Sequence, residues 1–191
     1  MKNKTIIRIA VTAILGVISI VLSFKIYGSI MAKDHEITQI KMADDLVIQK
    51  LKTIREAQKL YFDVNKSYAG DWSDLQNFLK TGEVAITQVK EKITVVNGKE
   101  EVEFITDTLS IKPALEVMKE TIPFKESDIQ TIAVVPLSDT LFDLYANKLQ
   151  GFYVVEVSDP APINPRRQEK GDLKPLRIGS KAAATLKGNW E

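Results

Sequence analysis

Residues 36–64 read EITQIKMADDLVIQKLKTIREAQKLYFDV, a run without proline or glycine. Within it Ile37, Ile40, Val47, Leu51, Ile54, Tyr61 and Val64 recur at spacings close to three and four. At 3.6 residues per turn those positions make one apolar stripe. Lys41, Asp44, Lys50, Lys52 and Glu56 fill much of the remaining surface. The pattern predicts a long amphipathic helix whose stripe must be covered, either by the protein's own core or by another chain.

Upstream, Ile9 to Phe24 (IAVTAILGVISIVLSF) carries no charge, and after Lys25 the chain is uncharged again from Ile26 to Ala32. A membrane span needs about 20 apolar residues, and a lysine near its end reaches the interface along its own stem. Tyr27 suits the interfacial belt, and Lys2, Lys4 and Arg8 are expected to hold the N-terminal end in the cytoplasm. A cleavable signal peptide has a similar basic start and apolar middle. The residues that follow, Lys25 to Ala32, contain no clean small-x-small pair before a polar start, so an uncleaved anchor is expected. The expected division is residues 1–32 as cytoplasmic tip and transmembrane anchor, and 33–191 as an extracytoplasmic domain with its long helix at about 36–64.

The 191 residues suit an anchor and one modest domain. Four basic residues lie before Lys33, which leaves 22 against 25 acidic residues in the remainder. A nucleic-acid binder normally shows a basic stripe, and none is visible. The chain has no cysteine, which excludes disulfides, thiol catalysis and cysteine-bound metals.

After the long helix, Asn65, Ser67 and Gly70 mark a turn. Asp71 to Leu79 reads as a short helix with Asp71 as cap and Asp74 in its first turn. Val84 to Ile111 is strand-like, with Ile93, Val95, Val102 and Phe104 flanking the hairpin signal Asn97-Gly98. Pro113 to Glu120 suggests a short helix, and Ile132–Val135 and Gly151–Val157 suggest two more strands. Pro160, Pro162 and Pro165 then interrupt regular structure, and Leu176 to Ile178 is the one apolar cluster of the tail. The fold class is α+β: a transmembrane helix continuing into a long amphipathic helix, packed against a small, mostly antiparallel sheet.

Little in the chain points to chemistry. Its single histidine, His35, lies at the start of the long helix, outside any expected folded site, so neither a triad nor a zinc site is expected. Asp44-Asp45 falls on a helix surface, and Glu100, Glu101 and Glu103 follow the hairpin turn, where charge keeps an edge solvated. No calcium loop or phosphate-binding glycine loop is present. A hydrolase built from carboxylates distant in sequence stays open as a third reading. Tyr61, Tyr68, Trp72 and Phe78 form an aromatic group around the first turn, expected as core and alternatively as a ligand patch.

Leu51-Lys-Thr-Ile-Arg-Glu-Ala-Gln58, then Tyr61, Tyr68, Trp72, Leu75 and Phe78, resembles the stretch after the membrane helix in type IV pilin-like proteins and pseudopilins. The resemblance covers about residues 1–80. It implies a hydrophobic helix continuing into an extracytoplasmic head, and a subunit that assembles through that helix. Gly16 and Gly28 are not followed by the glutamate of the pilin processing motif, so processing is not implied. Val134 to Phe142 and the terminal Gly-Asn-Trp-Glu191 are similar to bacterial envelope proteins with one N-terminal span, which implies no activity. The function expected is a non-catalytic structural or assembly subunit in the bacterial inner membrane, without cofactor or metal. Its partners would be membrane lipid, and envelope proteins contacted through Ile37, Ile40, Val47 and Leu51 in a homo- or hetero-oligomer. A membrane-tethered ligand- or protein-binding module is the alternative.

Overall fold

The computed structural model describes residues 2–96 and 99–191, with side chains for all of these except 2–13, Ile30, Ala32 and 87–108. The fold is α+β, with a long N-terminal helix and small antiparallel sheets. It divides into two compact units, Met1–Met42 and Ala43–Glu191. Helix α1 (Lys2–Asn65) is unbroken and contributes to both. Its sequence explains the continuity, since only Gly16 and Gly28 interrupt a run free of proline.

In the first unit, Ile14, Leu15, Val17, Ile18, Ile20, Val21, Leu22 and Phe24 are all exposed. The helix contains an 18-residue window of mean hydropathy 1.9, none of it buried. By length and composition it is able to cross a membrane.

In the second unit, α1 supplies Ala43, Val47, Leu51, Ile54 and Ala57 to the core. Helix α2 (Trp72–Thr81) adds Leu75, Phe78 and Leu79. Asp71 takes the N-cap position with extended backbone, but its side chain makes no cap hydrogen bond, so the expected cap is one of position only. Strands β1 (Glu83–Val96) and β2 (Lys99–Pro113) form a two-stranded antiparallel ribbon. The Asn97-Gly98 turn lies outside the described residues, although Val96 pairs with Lys99 on either side of it. Helix α3 (Ala114–Thr121) and the short α4 (Glu126–Gln130) follow. Strands β3 (Asp143–Leu149), β4 (Phe152–Ser158) and β5 (Arg177–Gly179) form a second antiparallel sheet in that order. Gln150 and Gly151 both have positive φ, 47° and 97°, as a tight hairpin turn requires.

Three expectations need correction. There are two sheets among the described residues, not one, because the ribbon and the β3–β5 sheet do not pair. Ile132–Val135 is not a strand: it is a turn after α4 with a single bridge between Val134 and Leu141. Ile132, Ala133 and Val135 are all buried, so the apolar run reflects burial without alternation, and Pro136 cannot donate to a ladder. Finally, Val47 and Leu51 were expected against a partner chain, yet they are 4% and 0% exposed. They share one core with Leu75 and Leu79 of α2, Met118 of α3, Ile129 of α4, Val155 and Val157 of β4, and Leu176 and Ile178. The protein itself covers this part of the stripe.

Candidate functional site

Of the four residues expected to meet partner helices, two therefore belong to the interior. Ile37 is 57% exposed and Ile40 is half-buried. Exposed apolar residues continue at Met42 and at Leu46. Of the four, only Ile37 is thus fully exposed.

The aromatic turn is held together as core. The Tyr61 and Phe78 rings meet edge to face at 5.1 Å between centroids. Phe62, which the spacing argument had passed over, lies 4.7 Å from the Tyr68 ring. Tyr61, Tyr68 and Trp72 are partly buried against the core that contains Phe78. Burial pushes both tyrosine hydroxyls above their ordinary range, helped by the charge of Asp74 near Tyr61 and of Asp63 near Tyr68. Trp72 Nε1 donates to the Phe142 carbonyl oxygen at 3.1 Å, which ties α2 to the start of β3. Trp72→Phe keeps most of the ring and removes that bond. It should lower stability by about 1 kcal/mol in a chemical denaturation curve, and no loss would show the bond to be replaced by water.

Several polar groups of the head are paired within the fold. Asp44 Oδ2 accepts from Asn164 Nδ2 and from Arg167 Nε, both at 2.9 Å. This clasp fastens the proline-rich segment and its 3-10 turn, Pro165–Arg167, to α1. Asp159 lies close by, almost fully buried, and its Oδ1 accepts from the Ala161 N–H at 3.0 Å. Burial raises its carboxyl above the usual range, with the Ala161 N–H acting in the opposite direction. The buried Glu156 carboxylate accepts from Arg177 Nη1 at 2.7 Å. Asp143, Glu156, Ser158, Asp159, Lys174 and Arg177 line a small cavity of about 240 Å³ there. Asp44, Asp159 and Glu156 thus accept hydrogen bonds from side chains or backbone N–H groups of the same fold.

A groove of about 710 Å³ runs between the end of α1 and the base of the ribbon. Leu60, Val64, Val84, Ile86 and Val117 give it an apolar lining, and Asp63, Lys66 and Glu83 supply charge. His35 is exposed on α1. Among the described residues no three His, Cys, Asp or Glu side chains stand together as a metal site.

Sequence reasoning missed Gln58, Asn164 and Arg167 as organising residues. Gln58 did stand within the stretch that resembles pilin-like proteins. The other two act over sequence separations of 120 and 123 residues, where spacing carries no signal. Comparison with known proteins adds no relative: no family model, no curated protein and no solved structure matches the chain.

Proposed function

We propose that this chain is a non-catalytic, membrane-anchored subunit of a bacterial envelope assembly, pilin-like in architecture. In this reading α1 crosses the inner membrane with its N-terminus in the cytoplasm and the residues from 33 onward outside. The observation that carries it is the continuation of exposed apolar residues along α1 beyond the uncharged stretch, at Ile37, Met42 and Leu46, which are 57%, 53% and 41% exposed. Met42 and Leu46, four residues apart, share one face of the helix, and we read an apolar face outside a core as a contact with another chain. The three basic residues before Ile9 support the orientation.

The test is extraction in mild detergent. Ile37→Lys combined with Met42→Lys should release the protein from the chains that co-purify with the wild type. Thermal unfolding of the head should stay unchanged, because neither side chain is part of its core. Retention of every partner would sink the reading. On intact cells or spheroplasts, an impermeant thiol reagent should reach Thr185→Cys and not Asn3→Cys, and the opposite pattern would reverse the orientation. The apolar groove at Leu60, Val64 and Val84 favours one alternative, a tethered binding module. That alternative gains ground if a fragment starting near Asp34 replaces the full chain in function.

A further inference from the structure

Strand β1 pairs with β2 alone, so its other edge is open among the described residues. The start of the ladder shows which backbone groups point out along that edge. Ala114 N–H donates to the Gly82 carbonyl oxygen at 2.8 Å, and Glu83 stands opposite Pro113, which has no N–H to give. In an antiparallel ladder, pairs that exchange hydrogen bonds alternate with pairs that do not. Gly82 and Val84 are therefore bonding positions towards β2, and Glu83 and Ala85 are not. The N–H and C=O groups of Glu83 and Ala85 thus point away from β2, and no hydrogen bond among the described residues takes them.

This edge borders the groove of about 710 Å³. The groove touches Glu83, Val84, Ala85 and Ile86 in succession and, among the described residues, none of β2. Successive side chains of a strand leave by opposite faces, so a hollow that meets four in a row runs along the strand's edge. The other wall, from α1 and α3, offers Leu60, Val64 and Val117. A smaller hollow of about 240 Å³ shares Leu60, Asp63 and Val117 with it, so the cleft continues along α1. The bases of the cleft are engaged: Lys59 Nζ meets Glu56 at 2.9 Å, and Lys66 Nζ donates to the Asp63 carbonyl oxygen at 2.7 Å. The carboxylates of Asp63 and Glu83 meet no base among the described residues.

We propose that the open edge of β1 takes up an extended, basic segment of another protein as an added strand. Glu83 and Ala85 offer it their outward N–H donors and C=O acceptors. Side chains of the incoming strand alternate between two faces. Those on the face of Val84 and Ile86, which belong to the core side, are apolar and fill the groove against Leu60, Val64 and Val117. Those level with Glu83 are lysine or arginine, because opposite charges on facing positions stabilise a strand pair. The same carboxylates repel an anionic lipid surface. The inference goes beyond the assembly reading above and uses neither the anchor nor Ile37.

The test uses the full-length chain in a neutral detergent. The probes are fluorescein-labelled heptapeptides in which lysine or arginine alternates with valine, leucine or isoleucine. At least one should bind saturably by fluorescence anisotropy, above the signal of detergent alone. Methylating its backbone nitrogens in one frame of alternate residues should weaken binding by about tenfold or more, and in the other frame should not, because only one frame faces β1. Ala85→Pro removes an outward N–H and no bond to β2, so it should weaken binding as much while the thermal midpoint holds. Glu83→Lys should shift the preference to peptides with glutamate in place of the base. No saturable binding, equal loss from both methylated frames, or unchanged binding to both variants overturns the proposal. If Ala85→Pro fails to fold, the methylated peptides on the wild type and Glu83→Lys decide it.

Discussion

Gly179→Ala should lower the stability of the second unit by roughly 3–5 kcal/mol, a large share of what a domain has to lose. Gly179 ends β5 with φ of 73°, a left-handed conformation that disfavours a side chain. A Cβ built there would stand 2.0 Å from the Val155 carbonyl oxygen. That obstacle is backbone, so no rotamer change relieves it. The same oxygen accepts from the Ser180 N–H at 2.9 Å, and Gly179 N–H donates to the Lys187 carbonyl oxygen at 3.0 Å. Moving the backbone aside therefore breaks the bonds that hold β5 and the tail to β4. Urea denaturation of the variant beside the wild type measures the cost. A loss under about 1 kcal/mol would mean that this corner of the sheet adjusts freely.

Gln58→Ala should cost about 3 kcal/mol by a different route. Gln58 is fully buried in α1. Its Oε1 accepts from the Ala69 N–H at 3.0 Å, and its Nε2 donates to the Ala69 carbonyl oxygen at 3.2 Å. One amide thus satisfies both backbone groups of a residue that is 1% exposed, in the turn between α1 and α2. Alanine leaves both unpaired, at about 1–3 kcal/mol for each buried group. Gln58→Glu separates the two bonds: a carboxylate still accepts from Ala69 N–H but has nothing to donate to the Ala69 carbonyl. Its denaturation midpoint should fall at neutral pH. If both variants melt like the wild type, water does the work of the amide.

The long helix was legible because its apolar positions keep one period from Ile37 to Val64, with no glycine or proline to break it. What that period does not specify is the source of the cover. Val47 and Leu51 look the same in sequence as Ile37, yet only the first two share a core with Ile129, Val155 and Leu176 in the folded chain. Those residues arrive from 78 to 125 positions beyond Leu51, and no local pattern announces them. The ribbon was legible in β1 and β2 through alternation. Strand β3, with Asp143, Asn147 and Lys148 among seven residues, has mostly exposed or half-buried positions and little apolar contrast. Strand β5 is three residues long, below the length at which a period can be read. Of the candidate contact residues, Ile37 keeps the exposure that its reading needs. Trp72 was recognised as part of the core, but its bond to Phe142 spans 70 residues and could only be found in three dimensions.

Glu191 is tied back to α1. Arg55 Nη1 donates to Glu191 Oε1 at 2.6 Å, across 136 positions of sequence. Trp190 packs partly buried against the same core as Leu51 and Ile54. Ribosomes add about 5–20 residues per second, so on the order of 10 s separates the synthesis of Arg55 from that of its partner. Within that interval the Leu51–Ile54 face of α1 meets its cover in stages: Leu75 and Leu79 of α2, Met118 of α3 and Ile129 of α4 are made first, and the β4, β5 and tail residues of the same core follow. The part of the ridge that the later residues bury stays open longest while the chain is made.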